Sequence, residues 1–250
     1  MSATGSESGR DQERKLPAAR ARARRIFAAL DARYPDATCE LHYASPHELL
    51  IATILSAQAT DQSVNRVTPE LFRRFPSPAD YASSAPAEIE PIIASIGLFR
   101  NKARAIHEAM KRIVDVYGGT VPANMDALLT LRGVARKTAN VVLGNAFGIS
   151  EGIVVDTHVM RLAHRFDLSS AANPLHVERD LMALLPRDIW TQASHLLIFH
   201  GRRVCKARGA DCTSDAICRR WCSNGIRTAA GARPGRSNST SSGAQRKDRP

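Results

Sequence analysis

The chain has no apolar run of the roughly 18 residues needed to cross a bilayer, and its opening MSATGSESGRDQERK lacks the apolar stretch of a secretory leader. A soluble, cytoplasmic protein without membrane contact is therefore expected. Cysteine is scarce, with five in 250 residues, which excludes a small disulfide-stapled scaffold. Aromatic residues make up only 5%, and strand-like runs are confined to short pieces such as GIVVD at 152–156. An extensive β-sheet is thus not expected. Acid is in short supply as well: 24 Asp and Glu face 35 Lys and Arg, a net charge of +11 and an isoelectric point near 10.0. Such an excess suits a polyanionic partner, although basic tails also occur merely as solubilising segments.

With 44% hydrophobic residues the chain can bury a sizeable core. The positive charge is concentrated in residues 1–25, 200–222 and 223–250, leaving the middle nearly balanced. Residues 1–25 and 223–250 are Ser, Gly and Arg rich with few large apolar groups, and are expected to be disordered basic extensions. Between them the dominant period is helical. Ser45-Pro46-His47-Glu48 has the form of a capping box opening onto LLIATILSA. Ile106, Met110, Ile113, Val114 and Tyr117 lie on one face of a helix stopped by Gly118-Gly119. Asn173-Pro174 opens a helix to Leu185, and a last long one spans Trp190 to about Arg203. The class is all-α.

Residues 125–148 read as a helix, a tight break (RGVAR) and a second helix (KTANVVLGNAFG). Such a hairpin leaves backbone N–H groups unpartnered at the second helix's start, where the macrodipole is positive and anions are attracted. Arg132, Arg136 and Lys137 crowd that opening. An ordinary αα-hairpin with solvated charges has the same local pattern, so these residues alone leave both readings open.

LRGVARKTANVV followed by VDTHVMRLAHR resembles the helix-hairpin-helix DNA glycosylases, specifically the endonuclease III family, whose hairpin reads LPGVGRKTA and whose next signature is VDTHV. LLIATILSAQATDQSVNRV and SIGLFRNKARAI are similar to that family's upstream segments in the same order. The resemblance spans about residues 26–222 and implies two helical subdomains with a DNA cleft between them. One is a helical barrel at about 40–152; the other comprises 26–39 plus 153–222. It also implies a monomeric, nucleoid-associated base-excision enzyme that removes oxidised pyrimidines from double-stranded DNA and nicks the abasic site. In that scheme Lys137 forms a Schiff base with the sugar and Asp156 assists it. A helix N-terminus disfavours positive charge, and an amine attacks only when deprotonated, which agrees with Lys137 as nucleophile. As a bland alternative, Asp156 is simply the cap of the helix that follows.

A flipped nucleotide leaves a hole in the stack. By resemblance Gln58 fills it and Leu98 wedges the facing strand, while the hairpin residues Arg132, Gly133, Val134, Ala135 and Arg136 contact DNA. Asp61 either lines the pocket or caps a helix, and His158 either shapes the pocket or packs structurally. Two positions depart from the family: Arg132 replaces Pro, and Ala135 replaces the second Gly. Ala135 would obstruct a backbone needing positive φ. The competing readings are a monofunctional mismatch glycosylase, disfavoured by Lys137, and a non-catalytic DNA-binding or redox-sensing module.

Cys205, Cys212, Cys218 and Cys222 lie in a basic stretch. Four thiolates suit a structural zinc or a 4Fe-4S cluster, and spacing alone does not choose. The resemblance implies the cluster, but the family spacing is C-x6-C-x2-C-x5-C and this chain has C-x6-C-x5-C-x3-C. Asp215 and Trp221 occupy the usual third and fourth ligand positions. The expected role is to shape a loop carrying Arg202, Arg203, Lys206, Arg208, Arg219 and Arg220 against phosphate.

Overall fold

The computed structural model describes residues 5–210 and 212–223, and the expected C-terminal extension lies, beyond Ser223, outside them. The described helices in chain order are α1 (Gly5–Arg33), α2 (Pro46–Leu55), α3 (Asp61–Arg74), α4 (Pro78–Ser83), α5 (Pro86–Ile89) and α6 (Phe99–Tyr117). Then follow α7 (Met125–Leu129), α8 (Arg136–Ala146), α9 (Thr157–Arg165), α10 (Pro174–Leu184), α11 (Trp190–Arg203) and α12 (Ala216–Trp221).

No strand forms among the described residues. Residues 152–156, read from sequence as a strand-like piece, are a connector with no partner strand among the described residues. Ile153, Val154 and Val155 are buried, and the Val154 amide donates to Ser194 Oγ at 2.9 Å. Apolar content here reflects burial on both sides of a connector, which local periodicity does not distinguish from a ladder.

The apolar faces assemble into two cores. One runs from Leu41 to Leu143 and is built on α2 to α8; the other joins Ala23–Ala37 of the N-terminal region to residues between Ile153 and Cys222. A correction falls at the N-terminus: the segment expected to be disordered to residue 25 is helical from Gly5, and its side chains pack from Leu16 onward. Leu16, Ala19, Ala23, Ile26, Phe27 and Leu30 continue one helical stripe, and the arginines between them obscure it in a composition-based reading. Those arginines bind backbone: Arg20 Nε donates to Ala183 O at 2.9 Å, and Arg22 Nη2 to Phe166 O and Trp221 O.

The start of α2 shows how local chemistry sets an element. Ser45 Oγ accepts the Glu48 amide, and Pro46 occupies the first helical position. The Glu48 carboxylate reaches back to the Ala44 amide, one residue before the expected partner. Leu49 to Leu55 then bury completely or nearly so against α8, and α8 also touches α11 of the second core.

Candidate functional site

A cleft of about 1200 Å³ opens between the cores, and Gln58, Asp61, Lys137, Asp156 and His158 all line it. Lys137 comes from the first turn of α8, which follows Ala135 with no side-chain cap. Asp156 comes from the other side, as the N-cap of α9: its Oδ1 accepts the His158 and Val159 amides, both at 2.8 Å. Capping is thus its structural role, and it also fixes the carboxylate at the cleft wall. His158 Nδ1 faces Arg161 Nη2 at 3.1 Å; since arginine only donates, Nδ1 accepts and the ring proton sits on Nε2. Burial raises the Asp61 carboxyl above the ordinary range, with Lys137 opposing the shift and Asp156 reinforcing it. The three groups therefore share one electrostatic environment.

Two expected DNA-facing side chains sit on strained backbone. Gln58 and Leu98 have φ of 57° and 60°, in the left-handed region that non-glycine residues avoid. Leu98 is 59% exposed, which leaves its apolar side chain available at the surface. A second concavity runs from Gln58 past Ser95 to Gly97, joining the two loops.

The hairpin residues divide. Gly133 has φ of 80°, and an added Cβ would stand 3.1 Å from Ala105 Cβ, so the turn needs glycine. Ala135 has φ −98° and ψ 171°, extended backbone that any residue adopts, so its replacement of glycine brings no conformational cost. Val134 is buried, with its amide donated to Leu131 O. Neither hairpin arginine is directed at solvent phosphate alone: Arg132 Nη1 donates to both oxygens of Glu108 at 2.8 Å. Arg136 reaches across to Glu178 on α10, donating from Nε at 3.0 Å and from Nη2 at 3.0 Å. Arg136 is therefore a bridge between the cores.

Arg202, expected on a phosphate-facing loop, instead lines the cleft and bridges Glu40 and Asp61, with Nη1 at 2.8 Å from Asp61 Oδ2. Arg203 stacks over Phe199, and Arg220 over Trp221. Sequence reasoning missed Lys102, a buried lysine whose Nζ donates to Leu55 O at 2.8 Å and Ala57 O at 2.6 Å. It braces the end of α2 just before Gln58. The signal was present, because Lys102 falls four residues before Ile106 on the apolar face of α6. Burial lowers the proton affinity of this amine.

Cys205, Cys212, Cys218 and Cys222 are all buried, and their sulfurs lie within 4.8 Å of one another. The unusual spacing nonetheless converges, because Asp215 caps α12 and places Cys218 and Cys222 on successive turns of one short helix and its end. Sulfur neighbours and burial hold the Cys218 thiol far above its ordinary range, a crowding that a shared cation relieves. Arg165 Nη1 donates to Cys205 Sγ at 3.0 Å, and His200 Nε2 stands 3.3 Å from Cys218 Sγ. The set fits a metal ion or metal cluster. Arg161 and Arg165 of α9 also donate to the Cys205 carbonyl, tying the cysteine loop to the helix that Asp156 caps.

Residues 51–187 match the HhH-GPD superfamily of base excision DNA repair proteins. Within that class the chain belongs to the endonuclease III family. It is 52% identical over 199 residues to endonuclease III of Synechocystis, covering 80% of this chain and 91% of that one. To endonuclease III of Bacillus subtilis it is 46% identical, over 74% of this chain and 86% of that one. A solved structure of a trapped endonuclease III–DNA covalent intermediate superposes with a TM-score of 0.79 at 42% identity, covering 84% of this chain and 98% of that one. Among the described residues, no helix is long and apolar enough to cross a membrane.

Proposed function

We infer that this protein is a bifunctional DNA glycosylase and AP lyase of base excision repair, acting as a monomer on oxidised pyrimidines in double-stranded chromosomal DNA. The observation that carries the reading is that Lys137, at an uncapped helix start, and Asp156, fixed by two backbone amides, line one cleft from opposite cores. The unprotonated Lys137 amine attacks the sugar C1′ as the base departs, giving a Schiff base whose β-elimination cuts the strand. Asp156 faces the positive charge that develops on the sugar and assists proton movement. Related endonuclease III forms a covalent intermediate with DNA, in keeping with this chemistry.

Reaching the target base requires extruding it from the stack, at a cost of a few kcal/mol. Gln58 enters the vacated space and Leu98 wedges the opposite strand, as an exposed apolar side chain can. Backbone donors at the Gly133 turn and the start of α8 take the phosphate. Arg132 and Arg136 are each paired with a carboxylate, Glu108 and Glu178, so what they offer phosphate is hydrogen-bond donors and not net charge. Cys205, Cys212, Cys218 and Cys222 hold a 4Fe-4S cluster, which serves structurally by fixing the basic loop between α11 and α12. Such a protein works in the cytoplasm, at the nucleoid.

The test is borohydride trapping on a duplex containing thymine glycol, wild type beside Lys137→Gln. A covalent adduct with the wild type alone is expected. Excision with no adduct would replace this reading with a monofunctional glycosylase, and binding without product would replace it with a non-catalytic module.

A further inference from the structure

We propose that Arg202 reads the extruded base, donating to a pyrimidine carbonyl oxygen while Glu40 and Asp61 hold its guanidinium in place. This inference rests on the glycosylase reading above. Arg202 lies in the last turn of α11, which belongs to the second core, whereas Asp61 opens α3 in the first and Glu40 precedes α2. Its bridge to both carboxylates therefore spans the cleft that Lys137 and Asp156 line.

Three features point to a base as the occupant. First, a guanidinium is a planar fork of five donors with no acceptor, and contacts from Nη1 alone orient the fork without saturating it. A group built this way seeks acceptors. Second, every pyrimidine, oxidised or intact, keeps a carbonyl oxygen beside the glycosidic nitrogen, and negative charge moves onto that oxygen as the glycosidic bond breaks. A fixed cation there favours the departing base over the bound one. Third, Arg202 stands three residues before the buried Cys205, whose carbonyl is gripped by Arg161 and Arg165. The cysteine loop thus anchors a cleft residue in addition to any contact with the DNA backbone. Sites that hydrogen-bond a substrate group discriminate strongly against substrates lacking it.

Phosphate is the other acceptor an arginine could take, and an abasic duplex separates the two, since it keeps every phosphate but has no base. The experiment measures single-turnover excision on a thymine glycol duplex and nicking on the same duplex with a preformed abasic site, using the full chain. Arg202→Gln is expected to lower the ratio of excision to nicking at least tenfold, with Arg202→Lys restoring part of the loss. Glu40→Gln, which leaves Arg202 an acceptor but removes the charge that holds its guanidinium, is expected to lower the same ratio by a smaller factor. Should Arg202→Gln not fold, Glu40→Gln decides by that ratio. An equal fall in both activities means a phosphate or structural role and overturns the proposal; so does an unchanged ratio. A wild-type protein that nicks abasic DNA but excises no base would instead bring down the glycosylase reading itself.

Discussion

The bridge between α8 and α10 gives an asymmetric prediction. Glu178 is 7% exposed and accepts from Arg136 and from Asn140 Nδ2 at 3.0 Å, while Arg136 is 41% exposed. Removing the guanidinium by Arg136→Met leaves a buried carboxylate with one neutral side-chain donor. Breaking a buried pair this way costs about 3–5 kcal/mol. Removing the charge by Glu178→Gln leaves an acceptor for Arg136 and Asn140, and the half-exposed guanidinium rehydrates, so about 1 kcal/mol is expected. At roughly 2–4 °C per kcal/mol for a chain of this size, Arg136→Met should lower Tm by about 10 °C and Glu178→Gln by about 3 °C. The double variant Arg136→Met, Glu178→Leu should recover part of the first loss, because both charges are gone. Thermal unfolding followed by circular dichroism measures all three. A larger loss from Glu178→Gln than from Arg136→Met, or a double variant no more stable than Arg136→Met alone, would refute the assignment of Glu178 as the desolvated partner.

Leu98→Gly should raise stability by about 0.5–1 kcal/mol by relieving left-handed backbone at an exposed site, while lowering excision on duplex DNA; a stability loss in urea titration would contradict the strain. Gly133→Ala combines positive φ with crowding against Ala105 and should cost about 2 kcal/mol, visible as a lowered Tm. Burial lowers the His195 pKa to about 4, and its Nε2 contacts Asn145 Oδ1 at 2.8 Å. The unfolded chain therefore binds a proton that the folded one refuses between pH 6.5 and about 4. Stability is full above that window and falls by about 3 kcal/mol as pH drops through it. His195→Gln should flatten this part of the pH–stability curve, and an unchanged slope would assign the acid sensitivity elsewhere.

Where a residue's role is local, the sequence made it legible. The α10 boundary followed from Asn173-Pro174, and the α11 span from Trp190 to Arg203. The juxtaposition of Lys137, Asp156 and Gln58 came through family motifs, since no periodicity relates residues so far apart in sequence. What stayed hidden depends on which way a long polar side chain turns. Arg136, Arg202 and Arg203 read alike as basic residues facing phosphate, yet one spans the cores, one enters the cleft and one lies over Phe199. Arginine stems are long enough to serve any of these ends, and the partner that decides, such as Glu178 or Glu40, is distant in the chain.

The distribution of helix caps carries the argument one step further. Ser45, Thr60, Ser77, Asn124, Asp156, Asn173 and Asp215 each cap a helix with a side-chain oxygen. By contrast α5, α6, α8 and α11, which follow Ala85, Leu98, Ala135 and Ile189, open without one. Two of these four uncapped starts, those of α6 and α8, are where DNA contact is proposed, and an anion arriving there completes the helix. Ala135 already has the extended backbone of a cap residue, so Ala135→Asp should supply the missing acceptor without strain. Stability should then rise by about 1 kcal/mol, while duplex affinity falls because the new carboxylate occupies the amides and repels phosphate. Thermal melting and fluorescence anisotropy with an undamaged duplex read the two effects separately. A variant that gains both stability and affinity would show that the start of α8 faces something other than the DNA backbone.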